Sequence, residues 1–136
     1  MASYRRRTEE MIMMDSRTLA ARFFATLEGR QWNEFAALLD PDVTYEIPQS
    51  GERILGRDRY VQFNSEYPGD WHLTPKVVVA DQDGASVWFD WTLGDGEHSD
   101  AVVFLQVSGG RITRVTDFWP EPYDPPPGRD HLVERS

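Results

Sequence analysis

Cysteine is absent from the 136-residue sequence, and long apolar runs are absent too. The first absence excludes a disulfide framework, a zinc site built on cysteine and a thiolate nucleophile. No apolar run approaches the roughly 20 residues that a membrane span needs, and Met1 to Glu10 lacks the apolar stretch of a signal peptide. We therefore expect a cytoplasmic protein with no membrane association.

Basic residues are scarce: 14 lysines and arginines face 23 acidic residues, for a formal net charge of -9. Such a surface repels phosphate backbones and anionic lipid head groups, so we expect no nucleic-acid partner. Aromatic residues are plentiful instead, with five Trp, five Tyr and seven Phe. We therefore expect aromatic rings to pack against one another in the interior of the protein.

The length and composition predict one globular domain with a single core. We assign residues 15–123 to this domain. Residues 1–14 are predicted to form a flexible N-terminal tail. Residues 124–136 are predicted to form a C-terminal tail, because its prolines cannot continue a sheet.

Helical spacing of apolar residues predicts two N-terminal helices, over Asp15–Leu27 and from Trp32 to a stop at Asp40-Pro41. Alternation then predicts a strand over Val43–Ile47, followed by a loop and a third short helix over Gly56–Ser65.

The second half is rich in Val, Trp, Phe and Thr, and glycine-containing turns divide it into four segments. Helices first and a meander of strands afterwards predicts an α+β fold, in which N-terminal helices cover a curved antiparallel sheet and enclose a pocket. The four predicted strands are Trp71–Ala80, Ala85–Leu93, Asp100–Val107 and Arg111–Trp119.

Two aspartates interrupt apolar strand faces. Asp117 alternates with Val115 and Trp119, and Asp90 shares a face with Trp88. A carboxylate on a covered face loses hydration free energy, which favours a functional role for it. We therefore expect both aspartates to face one cavity. The plainer alternative is that each accepts backbone hydrogen bonds or pairs with an arginine.

His98 is a further candidate, at the rim of the same cavity. His98, Asp100 and Asp117 offer nitrogen and oxygen donors in principle, but no tight ligand spacing supports a metal site. We expect neither a metal nor an organic cofactor. Aromatic side chains are predicted to form the ligand-binding wall: Phe23, Tyr45, Phe63, Trp71, Trp88 and Trp119.

From Asp15 to Tyr123 the chain resembles the nuclear transport factor 2-like superfamily, and its SnoaL-like polyketide cyclase branch above all. The resemblance rests on the order of the elements and on a set of short motifs. These are Phe23-Phe24 through Trp32, Leu38-Leu39-Asp40-Pro41-Asp42-Val43, Gly110-Arg111-Ile112 and Thr116-Asp117-Phe118-Trp119.

The resemblance implies a conical α+β barrel with a deep pocket. Polyketide cyclases of this shape use a sheet aspartate as acid or base, and Asp117 matches that position. Relatives that open limonene epoxide use an Asp-Arg-Asp set, but Trp88 stands where the arginine belongs. Relatives that isomerise ketosteroids have an aspartate on the penultimate strand, where this chain has Val102-Val103-Phe104. Many other relatives only bind ligands or partners.

Three functions are therefore open. The first is an enzyme in which Asp117, aided by Asp90 or His98, is the acid or base for a small apolar ring or carbonyl substrate. The second is a module of the same shape that binds an apolar or aromatic molecule without reaction. The third is a protein whose role is assembly alone.

A homodimer through the sheet is also predicted. Two strands carry an apolar face opposite the Asp90 face, and we expect that face to be covered by a second copy. The alternative cover is the C-terminal tail folded back over it. The face consists of Val87, Phe89, Trp91 and Leu93 on one strand and Ala101, Val103, Leu105 and Val107 on the next.

Overall fold

The computed structural model describes residues 14–94 and 96–135. The predicted N-terminal tail, residues 1–14, lies almost wholly outside this part of the chain. Within the described ranges, no helix is long and apolar enough to cross a membrane.

In the described part of the chain, three helices precede or interrupt the strands: α1 (Ser16–Glu28), α2 (Trp32–Ala37) and α3 (Arg57–Ser65). The Asp15 side chain accepts a hydrogen bond from the Thr18 amide at 2.8 Å and so caps the start of α1. Buried apolar residues recur along α1 at helical spacing, and this stripe lies against the sheet. The stripe consists of Leu19, Ala20, Phe23, Phe24 and Leu27.

Six strands form one sheet in the order β2-β1-β6-β5-β4-β3. Their bounds are β1 (Leu39–Ile47), β2 (Glu52–Leu55), β3 (Trp71–Asp81), β4 (Gly84–Leu93), β5 (Glu97–Ser108) and β6 (Arg111–Phe118). The predicted fold class, helices on one side of a curved sheet, is confirmed.

The prediction of a wholly antiparallel sheet is wrong at one pair. β1 and β6 run parallel, with Tyr45 opposite Val115 and Glu46 opposite Thr116. β2, α3 and the strands β3 to β5 lie between β1 and β6 in the chain, so a long connection joins this pair instead of a hairpin. This pair places the middle of β1 next to the end of β6.

β1 also begins earlier than predicted, at Leu39 instead of Val43. Its register against β6 shifts between Leu39 and Thr44, and Pro41, which lacks an amide donor, falls inside that interval. β2 occupies part of the stretch predicted to be a loop, and it pairs only with β1.

The face of β4 that meets the helices is the opposite of the one we expected. Residues directly opposite each other on neighbouring strands share a face, and Asp117 lies opposite Val103, which lies opposite Val87. Val87 and Val103 are fully buried, so this inner face carries Asp117. Trp88, the next residue, lies on the outer face and is 45% exposed.

The premise of the predicted dimer is therefore wrong. The apolar face proposed to receive a second copy or the C-terminal tail is the inner face, and the helices of the same chain cover it. Phe24 of α1, for example, meets Phe89 of β4 with ring centroids 5.0 Å apart. Residues 120–135 have no helix or strand and are mostly exposed.

Candidate functional site

A cavity of about 340 Å³ lies between the helices and the inner face of the sheet. This is within the range of cavities that hold small molecules. Its wall suits flat, apolar molecules because ten of its side chains are aromatic. They are Phe23, Phe24, Tyr45, Tyr60, Phe63, Tyr67, Trp71, Phe89, Trp91 and Trp119.

Asp117 is the buried carboxyl group of this wall, with 9% of its surface exposed. It accepts a hydrogen bond of 2.6 Å from the Tyr45 hydroxyl. Burial raises the pKa of Asp117 from its usual 3.8 to about 7, because the charged form loses water, and the Tyr45 hydrogen bond only partly opposes this. Near neutral pH the group therefore exists in both protonation states.

Tyr45 owes its position to the parallel pair of strands and to a second tyrosine. Its ring stacks on Tyr60 of α3, with centroids 4.6 Å apart and planes 22° apart. Burial raises the pKa of both phenols, and the charge of Asp117 adds to the rise. Tyr45 therefore remains a hydrogen-bond donor throughout the range in which Asp117 titrates.

Most of the predicted wall lies in this cavity: Phe23, Tyr45, Phe63, Trp71 and Trp119 line it together with Asp117. Trp71 is held from a second side, since the Arg30 guanidinium lies 3.3 Å from the centre of its ring. The catalytic and binding roles of these residues stay predictions.

Trp88, Asp90 and His98 do not belong to the cavity, contrary to our expectation. All three lie on the outer face, because strand alternation turns them away from Val87 and Phe89. There the His98 imidazole contacts the Asp90 carboxylate. The Trp88 indole donates a hydrogen bond of 3.1 Å to Asp100. Asp117 is thus separated from Asp90 by the thickness of the sheet.

The metal set considered from sequence, His98, Asp100 and Asp117, is not assembled, since Asp117 is on the other face. Asp90, His98 and Asp100 do lie together, with potential ligand atoms within 4.8 Å of one another. Lys76 forms ion pairs with this cluster, because its ammonium lies 3.0 Å from the Asp100 carboxylate and 3.9 Å from that of Asp90. The arrangement is that of an outer-surface ion-pair network.

Several wall residues were missed from sequence. Phe89 and Trp91 were assigned to the wrong face, although the unbroken apolar alternation of β4 already marked that face as the one to bury. Glu97 and Ser99 were missed because β5 begins at Glu97, before the predicted start at Asp100. Tyr60 lies on the predicted third helix, but it was not assigned to the cavity wall.

Chemically, the cavity offers one buried carboxyl group that can give or accept a proton and one phenol beside it. Asn64 and Ser99 add uncharged polar groups to the wall, and Glu97 adds an exposed carboxylate. The remaining lining is apolar, so a bound molecule meets little water.

A family model described as a SnoaL-like domain matches residues 20–115. The comparison with curated proteins found no match. Among solved structures, a candidate ketosteroid isomerase from Kribbella flavida is 59% identical over 89% of each chain, with a TM-score of 0.86.

Two more distant structures share the fold. A structure described as an LEH-like epoxide hydrolase from M. tuberculosis is 20% identical over 76% of this chain and 80% of its own, with a TM-score of 0.65. A candidate polyketide cyclase from Xanthomonas campestris is 20% identical over 77% of this chain and 90% of its own, with a TM-score of 0.62.

Asp117→Asn should relieve a pH-dependent loss of folding stability. The pKa of Asp117 rises from 3.8 to about 7 on folding, so the folded state holds the extra proton between these values and stability falls as pH rises through them. Asparagine keeps an acceptor for Tyr45 without a charge. Measured by urea unfolding, the free energy of unfolding of the variant relative to wild type should increase by about 2–3 kcal/mol from pH 5 to pH 8.

The matched control is Asp100→Asn on the outer face. Hydrogen bonds from Lys76 and Trp88 lower the pKa of Asp100, so its replacement should bring no such gain at pH 8. A constant difference between Asp117→Asn and wild type across this pH range would contradict the raised pKa of Asp117.

Proposed function

The chain belongs to the SnoaL-like domain family, within the nuclear transport factor 2-like superfamily, and from that premise we propose that it is an enzyme. Its substrate is a small apolar ring compound with a carbonyl group, and Asp117 is its acid and base. The observation that carries the proposal is the buried Asp117 carboxyl group, hydrogen-bonded to Tyr45 in an aromatic cavity.

In the proposed reaction, the Asp117 carboxylate accepts a proton from a carbon next to the substrate carbonyl. The C–H electron pair becomes the double bond of an enolate, and the negative charge moves to the carbonyl oxygen. Asp117 then returns the proton to the same molecule. Where a C=C bond adjoins the enolate, the proton goes to the far carbon of that bond, which moves the double bond. Where the enolate carbon first adds to a second carbonyl carbon, the proton goes to the alkoxide oxygen so formed, which completes a cyclisation. A pKa of about 7 suits both halves of this cycle at neutral pH.

The relatives favour proton transfer over epoxide opening. A protein named as a candidate ketosteroid isomerase is the 59% identical relative, and a candidate cyclase shares the fold. Epoxide-opening relatives use an Asp-Arg-Asp set, yet Asp90 lies on the outer face, and no arginine lines the cavity among the described residues. Val103 stands directly opposite Asp117 on β5, and the other carboxyl group of the wall, Glu97, lies at its exposed end.

A module that binds a ligand without reaction is the second candidate. The observation in its favour is the wall itself, because ten aromatic side chains would hold an apolar molecule whether or not Asp117 moves a proton.

Asp117→Asn separates the two candidates. For an enolisable fused-ring ketone in deuterated water, we expect the variant to lose at least about 100-fold in the rate of deuterium uptake beside the carbonyl, followed by NMR. Affinity, measured by calorimetry, should change by less than about fivefold. Asp90→Asn, on the outer face, is the control and should exchange at the wild-type rate.

A binding module would give another pattern: no exchange above the uncatalysed rate in wild type, with affinity for the ketone retained. Equal losses of exchange in Asp90→Asn and Asp117→Asn would count against Asp117 as the proton carrier.

Tyr45→Phe should move the pH profile of this exchange. The exchange rate of wild type should rise with pH through about 7 as the Asp117 carboxylate forms. The Tyr45 hydrogen bond stabilises that carboxylate, so its removal should raise the apparent pKa and shift the rising limb to higher pH. A profile of Tyr45→Phe that coincides with that of wild type would show that Tyr45 does not act through Asp117.

We also propose that the protein is a homodimer, now through the outer face of the sheet. That face exposes Val79, Trp88 and Phe104, which are 62%, 45% and 46% exposed, and Phe104 meets Phe118 edge to face at 5.9 Å. Charges of both signs border these side chains, so a second copy turned by a two-fold axis offers a matching surface.

Phe104→Glu should dissociate this dimer. The substitution places a charge on an outer-face residue whose side chain is not part of the core, so we expect a folded monomer at micromolar concentration in analytical ultracentrifugation. Ser108→Glu, which adds the same charge at an exposed residue at the end of β5 outside this aromatic group, serves as the control. Sedimentation of the wild type as a monomer at the same concentration would overturn the proposal.

A further inference from the structure

The ionisable groups of the cavity wall are carboxyl groups and phenols. Asp117 lies at the buried end of the lining and Glu97 at an exposed end. No lysine, arginine or histidine lines the cavity among the residues that the structure describes. A negatively charged ligand would therefore meet two acids and the electron-rich faces of aromatic rings, with no cation to offset them.

The cation that touches this wall from outside is already engaged. Arg30 stacks on Trp71, and its guanidinium donates to the main-chain oxygens of Leu27, Glu28 and Trp71. These three hydrogen bonds hold the guanidinium against the helix end and β3.

The two acids stand at opposite ends of the cavity. Asp117 lies opposite Val103 on β5, and Glu97 is six residues before Val103 on the same strand, which corresponds to about 20 Å of extended backbone. Ser99 lies on the lining between them. A ligand that reaches from one acid to the other is elongated, on the order of 10–20 Å long.

Glu97 and Asp117 favour different chemical groups of a bound ligand. Asp117 is buried beside Tyr45 in an apolar wall, where an uncharged carbonyl end loses less hydration free energy than a charged group would. Glu97 is exposed at the mouth, and among the described residues no ion pair engages it. An exposed, unengaged carboxylate on an aromatic lining attracts a cation that remains partly in water.

We propose that the substrate carries a cationic amine at the end that lies beside Glu97, with its carbonyl end at Asp117 and Tyr45. This inference rests on the proposed function, because it assigns the carbonyl end to Asp117. It defines the substrate class as an elongated, fused-ring amino ketone and excludes acids and phosphate esters.

Three probes of one skeleton test this proposal: androst-4-en-3-one with an amino group, a hydroxyl group or a carboxylate at carbon 17. Calorimetry at low salt should rank the amine tightest and the carboxylate weakest. An exposed charge pair changes affinity by up to about fivefold, and attraction of the amine and repulsion of the acid multiply, so we expect a ratio of about tenfold. Added salt should reduce that ratio.

Glu97→Gln should bring the ratio of amine to acid to within about twofold. Glu52→Gln on β2 makes the same change of net charge at an exposed site outside the lining, and it should keep the wild-type ratio. Both variants should unfold at the wild-type denaturant concentration, since both side chains are exposed.

The proposal is overturned if the carboxylate binds as tightly as the amine, if none of the three probes binds, or if the preference persists in Glu97→Gln. These outcomes are separable from a failure of the proposed function. Deuterium uptake into an uncharged ketone by the wild type reports the Asp117 chemistry, whereas the ranking of the three charged and uncharged probes reports the Glu97 end.

Discussion

The site depends on one arrangement: a carboxyl group held beneath the helices with a phenol as its hydrogen-bond partner and, among the residues described, no cation against it. A cation in contact with Asp117 would have kept its pKa low and fixed it as a carboxylate. Burial with the single Tyr45 bond brings the pKa to about 7 instead. The proton on Asp117 is therefore mobile at neutral pH, and the aromatic wall supplies the desolvation that makes it so.

The sheet gives its aspartates two kinds of surroundings. On the outer face, Asp100 receives hydrogen bonds from Lys76 and Trp88, which lower its pKa and keep it charged. On the inner face, Asp117 has lost water and gained one donor, and its pKa rises. The difference follows from strand alternation, because a shift of one residue moves a side chain from an ion-pair network to a dry cavity. Acid–base capacity thus depends on which face a carboxylate occupies.

Sequence patterns predicted the helices, the meander, the burial of Asp117 and half of the aromatic wall, because alternation and helical spacing depend only on local sequence. They failed for Asp90 and Trp88, because the face of β4 that carries Asp90 was expected to meet the helices, although its other face is apolar throughout. Cross-strand register shows which face is covered, since it joins Val87 to Val103 and Val103 to Asp117. Register also depends on the parallel pairing of β1 with β6, which no short-range pattern reveals.

The helices do more than cover the cavity, because an aromatic chain connects them to the Asp117 hydrogen bond. Trp32 and Phe35 of α2 meet edge to face at 6.2 Å, Phe35 meets Tyr60 at 5.6 Å, and Tyr60 stacks on Tyr45. Phe35 and Tyr60 are almost fully buried, so the Tyr45 ring has little freedom to turn away from Asp117. Because the Tyr45 ring is already fixed by packing, its hydrogen bond to Asp117 costs little conformational entropy. The packing of α2 and α3 thus holds the Tyr45 hydrogen bond, which lowers the pKa of Asp117 and partly opposes the effect of burial.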